Sequence, residues 1–206
     1  MVLTINECSF IISTNRGDQM RKKDDEKEKS IKEAVIKLIL EEGFHGTSIS
    51  KIAKMAGVSP ATVYIYFDNK ENMLQNIYQE YSEEIYDYIS SRVKLGMCGK
   101  EILEMLIRSY YNYICENEEI FNFVDQFSSC RSLACGCSKA KGICNINDLI
   151  IELKNKHIIK QYNIENLVAF IFYPVKAIAV DHYKSEEEKK VLLLEMIEII
   201  QNALLV

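Results

Sequence analysis

The chain has 206 residues, 48% apolar and 27% charged, with a net charge of −5 at pH 7. That length accommodates one core-forming domain plus a small one, and two prolines, eight glycines and no tryptophan speak for a mostly helical chain over a β sandwich. The acidic balance excludes a protein that coats nucleic acid over its whole surface, although the charge is uneven: residues 20–73 sum to +1 and residues 74–206 to −5.

Residues 1–19 share no pattern with the rest of the chain. They lack the basic start and cleavage site of a signal peptide, and Met20 offers an alternative start, so a disordered extension is expected there. The first amphipathic helix is expected from Glu28 to Glu42, with Ile31, Val35, Leu38 and Ile39 on one stripe and Gly43 ending it. Thr47 stands where an N-cap belongs, ahead of a second helix whose stripe is Ile49, Ile52, Ala53 and Ala56. Gly57 stops it. Ser59 caps a third helix, with Pro60 at the first position, where a missing N–H costs nothing. Asn69 caps a fourth, long helix from about Lys70 to Leu95.

Two short helices joined by a glycine-containing turn, behind a longer one, read as a helix-turn-helix. Val63 and Phe67, one turn apart, point inward, which puts Ala61, Thr62, Ile65 and Tyr66 on the outer side. Hydroxyls of Thr62, Tyr64 and Tyr66 suit phosphate oxygens or base edges, and a thymine methyl can pack on Ala61 or the Thr62 methyl. Lys51, Lys54 and Lys70 add a weak positive patch. Taken alone, aromatic residues at helical spacing more often mean packing than contact with a partner.

Residues 43–74, "GFHGTSISKIAKMAGVSPATVYIYFDNKENML", resemble the DNA-binding segment of the TetR/AcrR family of transcriptional regulators. The resemblance rests on Gly43-Phe44, Thr47, Ile52-Ala53, Gly57-Val58-Ser59, Tyr64-x-x-Phe67 and Lys70-Glu71-x-x-Leu74, the last being one residue longer than the simplest form. It implies that Thr47 and Ser48 touch phosphates. Ser59, Pro60, Ala61 and Thr62 would face bases or backbone at the groove entrance, Tyr64 and Tyr66 would reach phosphates, and Lys70 would clamp one more. The third helix carries no Arg, Asn or Gln, so the strongest bidentate base contacts are missing from it. Discrimination is then expected from shape, water and methyl packing.

Beyond residue 95, helices are expected over Lys100–Glu116, about Glu118–Phe127, 148–160, 163–183 and 186–204. Pro174 should kink the fourth of these. In the last, Val191 to Leu194, Met196, Ile197, Ile199, Ile200 and Ala203 cover most of the circumference, so the helix is buried on more than one side. With residues 163–183 it looks like the pair that meets across a twofold axis in the family. No stretch supplies a membrane span, because Lys176, Glu195 and Glu198 interrupt the most apolar ones. Aromatic residues cluster in this half, and Tyr110, Tyr113, Phe123, Phe127, Phe170 and Tyr173 are the candidate lining of an apolar ligand pocket.

Cys130, Cys135, Cys137 and Cys144 crowd one Gly- and Ser-containing segment near Arg131, Lys139 and Lys141. A redox switch, a zinc site or an iron–sulfur site are the alternatives to a plain loop of reduced thiols in the cytoplasm. The spacing lacks the paired C-x2-C of structural zinc sites, and no cofactor is expected. Phosphate loops, nucleophile elbows and His-Glu-His sites are absent from the sequence, so an enzyme is not expected. A helical metal or iron–sulfur protein without DNA binding is the competing class.

The resulting expectation is an all-α cytoplasmic homodimer. Residues 20–72 form a helix-turn-helix domain on a double-stranded operator, and residues 73–206 form a larger helical domain for ligand binding and dimerisation. It would act as a repressor released by a small apolar or aromatic inducer. The ligand would tilt the long fourth helix and so change the separation of the two recognition helices. A regulator sensing redox state or metal through Cys130–Cys144 is the alternative.

Overall fold

The computed structural model describes residues 12–94, 96–128 and 141–206. These residues form helices without any β-sheet: α1 (Ile12–Gly46), α2 (Ile49–Met55), α3 (Pro60–Tyr66), α4 (Lys70–Ser90), α5 (Gly99–Glu116), α6 (Glu118–Ser128), α7 (Lys141–Asn155), α8 (Ile164–Ala179) and α9 (Glu186–Leu204). The all-α expectation holds. The chain divides into two compact units, one ending at Leu74 and the other running from Gln75 to Val206.

In the first unit, α1 begins well before the expected Glu28, so residues 12–19, expected to be a disordered extension, are helical; residues 1–11 lie outside the described residues. The charged run suits an exposed helix because it pairs at i,i+4, as in Lys32–Glu28 at 2.7 Å. Ile31, Ala34, Val35, Leu38 and Ile39 are buried along one stripe, with Ile52, Ala53, Val63 and Phe67 also buried. Gly43 breaks the helix at φ 74°, ψ 176°, a combination that non-glycine residues essentially never adopt. Gly57, at φ 69°, makes the turn between α2 and α3.

The caps of this unit differ from expectation at one place. Ser48, not Thr47, caps α2, its hydroxyl accepting from Lys51 N at 3.3 Å. Ser59 caps α3 by accepting from Thr62 N at 3.1 Å, with Pro60 first in the helix. Asn69 accepts from Asn72 N at 2.8 Å at the start of α4.

In the second unit α5 packs against α6, α8 and α9, and α7 packs against α8. Their shared core holds Leu103, Leu106, Ile107, Ile171, Val175, Ile197 and Ile200. α4 ends at Ser90 instead of reaching Leu95, and α7 starts and stops earlier than the expected 148–160. Ile159 instead forms an isolated antiparallel bridge with Leu205, and Lys160 N donates to Leu204 O at 2.8 Å. α8 runs through Pro174, which removes the N–H that would reach the Phe170 carbonyl. Ser185 and Glu188 cap α9 reciprocally.

Candidate nucleic-acid interface and cavity

α3 is seven residues long and turns its Val63 side into the first unit, where Val63 is fully buried. The opposite side is open: Ser59, Pro60 and Ala61 are exposed, Tyr64 is 55% exposed and Ile65 77%. Ser48, at the start of α2, is exposed as well. These positions are thus on the surface as a contact helix requires, and Ser48, Ser59, Pro60, Ala61 and Tyr64 belong to the expected set.

The remaining expected contacts are engaged within the unit. Thr47 is 3% exposed, and its hydroxyl donates to Gly43 O at 2.9 Å. The break at Gly43 takes that carbonyl out of the helical ladder, and the part-buried oxygen finds its donor in Thr47, which serves as a strut within the unit. Lys70 is engaged in the same way. Its ammonium donates to Phe44 O and, at 2.8 Å, to Thr47 O, and sits 3.9 Å from the centre of the Phe44 ring. It ties the start of α4 to the end of α1 and to Thr47 just beyond it.

Tyr66 is also engaged within the unit. Its hydroxyl lies 2.6 Å from a carboxylate oxygen of Asp24 and 3.2 Å from that residue's carbonyl. The hydrogen bond to Asp24, then burial and the charges of Asp24, Glu28 and Asp25, push the phenol up to about 12. Thr62 and Ser59 share a hydroxyl–hydroxyl contact of 2.9 Å. Lys51, from the positive patch, pairs with Glu42 and donates to Gly46 O at 2.9 Å. Ile65 is the residue that the polar-contact reasoning left out; helical periodicity already placed it on the outer side.

The second unit contains a cavity of about 190 Å³ between α4, α5, α6, α7 and α8. Tyr110 and Tyr173 line it, together with Tyr78, Phe121, Val168 and Phe172. The Tyr110 ring meets Phe172 edge-on at 4.8 Å and Phe121 at 5.7 Å. Its phenol is held well above the usual range by burial, then by the charge of Asp125 and by Tyr173. Asp125 lines the same cavity and is paired with Lys176, whose ammonium is 2.7 Å from both carboxylate oxygens.

The other four aromatic candidates lie elsewhere. Tyr113 is buried with its hydroxyl donating to Glu84 at 3.1 Å. Phe123 and Phe127 are buried against each other, 4.7 Å between centroids. Phe170 is exposed and lines a separate open groove of about 320 Å³ with Tyr162, Asn166, Leu167, Ala203 and Leu204. Cys130, Cys135 and Cys137, with the Cys144 side chain, lie outside the described residues. Among the described residues no three His, Cys, Asp or Glu side chains gather as a metal would need, and no helix is long and apolar enough to cross a membrane.

Residues 31–77 match the family model described as bacterial regulatory proteins, tetR family. The fatty acid metabolism regulator protein of Bacillus subtilis (strain 168) is 31% identical over 88 residues, 43% of this chain and 45% of that protein. The chain thus spans less than half the length of the curated relatives it first matches. The fold is similar to that of a tetR family transcription regulator from Shewanella sp. PV-4, with a TM-score of 0.74 at 24% identity over 87% of this chain and 98% of that one. It is also similar to FadR from Bacillus subtilis in complex with stearoyl-CoA, with a TM-score of 0.64 at 22% identity over 83% and 96% of the two chains. Residues 31–77 thus carry the amino-terminal motif of the tetR family of bacterial regulatory proteins, and the fold of the described residues is similar to that of solved tetR family regulators.

Proposed function

We propose that the protein is a homodimeric, cytoplasmic repressor of transcription that binds a pseudo-palindromic operator and leaves it when a small molecule binds. The observation that carries this reading is α3. It is held by its Val63 side to the first unit and exposes Pro60, Ala61, Tyr64 and Ile65, the presentation that a recognition helix needs in a major groove. Residues 20–72 form the DNA-binding domain, and residues 73–206 bind the ligand and dimerise.

The ligand is apolar or aromatic, in keeping with the aromatic wall around Tyr110. A relative of the same fold is known in complex with stearoyl-CoA. The cavity here, about 190 Å³, is below the roughly 300 Å³ at which ligand pockets usually begin, which favours a smaller molecule. Tyr78, Ser82 and Ile85 bring α4 to the cavity wall, and the same helix begins at Lys70 in the first unit. A ligand that favours one position of α4 therefore shifts the population able to bind DNA.

Retardation of duplex DNA from upstream of the protein's own gene tests the reading. Binding should fall steeply with salt and be weakened by a ligand that protects the second unit from thermal unfolding. Absence of any retardation of that DNA, or of any duplex selected from a random pool, would overturn it.

A further inference from the structure

Of the polar groups that α3 and its neighbours offer, most are used inside the first unit. The Ser59 and Thr62 hydroxyls face each other at 2.9 Å, Tyr66 is bonded to Asp24, and Lys70 is bonded to Phe44 O and Thr47 O. The outward face of the helix is decided by its pitch. Successive residues are about 100° apart, so the residues two before and two after a buried position each lie roughly 160° around from it. The buried position is Val63. Ala61 and Ile65 therefore straddle the direction that points straight away from the unit, with Tyr64 and Thr62 on the flanks.

Ile65 is 77% exposed, so an apolar group that covered it would take apolar surface out of water, which is favourable. Resting on the function proposed above, we infer that α3 reads its operator through the C5-methyl groups of thymine, with Ile65 as the principal contact and Ala61 as the second. The major groove presents one apolar group among its donors and acceptors, the thymine methyl. An Ile–Ala pair at the centre of a recognition helix is complementary to that group and to nothing else on the base edges. The flanking Tyr64 reaches the phosphates, which position the helix without reading sequence. The hydroxyl pair of Ser59 and Thr62 stays with the cap.

The test works without a known operator sequence. Duplexes enriched from a random pool by the purified full-length protein define the half-site, and thymines in it are then replaced singly by deoxyuridine, which removes the methyl and keeps every hydrogen-bonding group. Each contacted methyl should be worth about fourfold in Kd, the equivalent of ~0.8 kcal/mol for one buried methyl-sized group. Ile65→Ala should abolish the largest of these thymine-over-deoxyuridine differences and leave any smaller one due to Ala61, with its thermal midpoint unchanged because the side chain is not part of the core. Equal affinity of the parent protein for both operators, an enriched half-site without thymine, or survival of the largest thymine preference in Ile65→Ala would each overturn the inference while leaving DNA binding in place. Failure to enrich any duplex would overturn the functional reading and this inference with it.

Discussion

Lys70→Met separates two roles that a lysine at this position can have. Methionine keeps an unbranched apolar stem beside the Phe44 ring and removes only the ammonium. In the structure that ammonium bonds the carbonyls of Phe44 and Thr47 and lies over Phe44. A hydrogen bond from a charged group is worth about 1.5–3 kcal/mol net when well shielded. The side chain is only partly buried, so the two bonds and the ring contact together come to roughly 2–3 kcal/mol after solvent screening. Urea denaturation followed by circular dichroism should show a midpoint lowered by about 1 M, given a slope of ~1–3 kcal/mol per molar. Once allowance is made for the folded fraction, the log–log salt dependence of operator binding should keep the parent's slope. An unchanged midpoint together with a slope reduced by about 0.9 would mean that Lys70 neutralises a phosphate, and the strut assignment would be refuted.

Tyr64→Phe should weaken operator binding by a similar factor for all sequences and leave the thermal midpoint alone, since the exposed hydroxyl supports no packing; a change in sequence preference would contradict the phosphate role. Gly43→Ala should cost about 1–3 kcal/mol in chemical denaturation, entirely from backbone strain, because nothing lies within 4 Å of the added Cβ; a neutral substitution would show that the chain relaxes out of φ 74°. Leu194→Asp, on the exposed side of α9, should give a folded monomer by sedimentation, whereas Ile197→Asp should unfold the second unit, because Ile197 is buried in that unit's own core. Tyr66 should ionise near pH 12 instead of its usual 10. Its folded pKa is raised, so its contribution to stability is complete below pH ~10 and lost as the pH climbs through 12; the phenolate absorbance of parent minus Tyr66→Phe should stay flat at pH ~10, and a midpoint there would deny the bond to Asp24.

Helix positions were legible because they obey local rules. The Ile31–Val35–Leu38–Ile39 stripe, the Ser59–Pro60 start of α3 and the Ser185–Glu188 box of α9 each lie within a few residues of chain, and the backbone obeys them wherever the helix ends up. The recognition motif was legible for the same reason, down to the inward turn of Val63 and the outward turn of Ile65. The role of each polar side chain was decided by tertiary structure. The resemblance implied phosphate contacts for Thr47, Tyr66 and Lys70, yet in the folded chain the Gly43 carbonyl, the Asp24 carboxylate forty-two residues before Tyr66 and the Phe44 carbonyl occupy them. The aromatic set divided similarly: the sequence contains Tyr110, Tyr113, Phe123, Phe127, Phe170 and Tyr173 with nothing to rank them, and the packing of α4 to α8 left only Tyr110 and Tyr173 of the six on the cavity. A side chain's type and face are local properties of the chain, whereas its partner is whichever group the fold brings within about 3 Å, and that is determined only when distant segments pack.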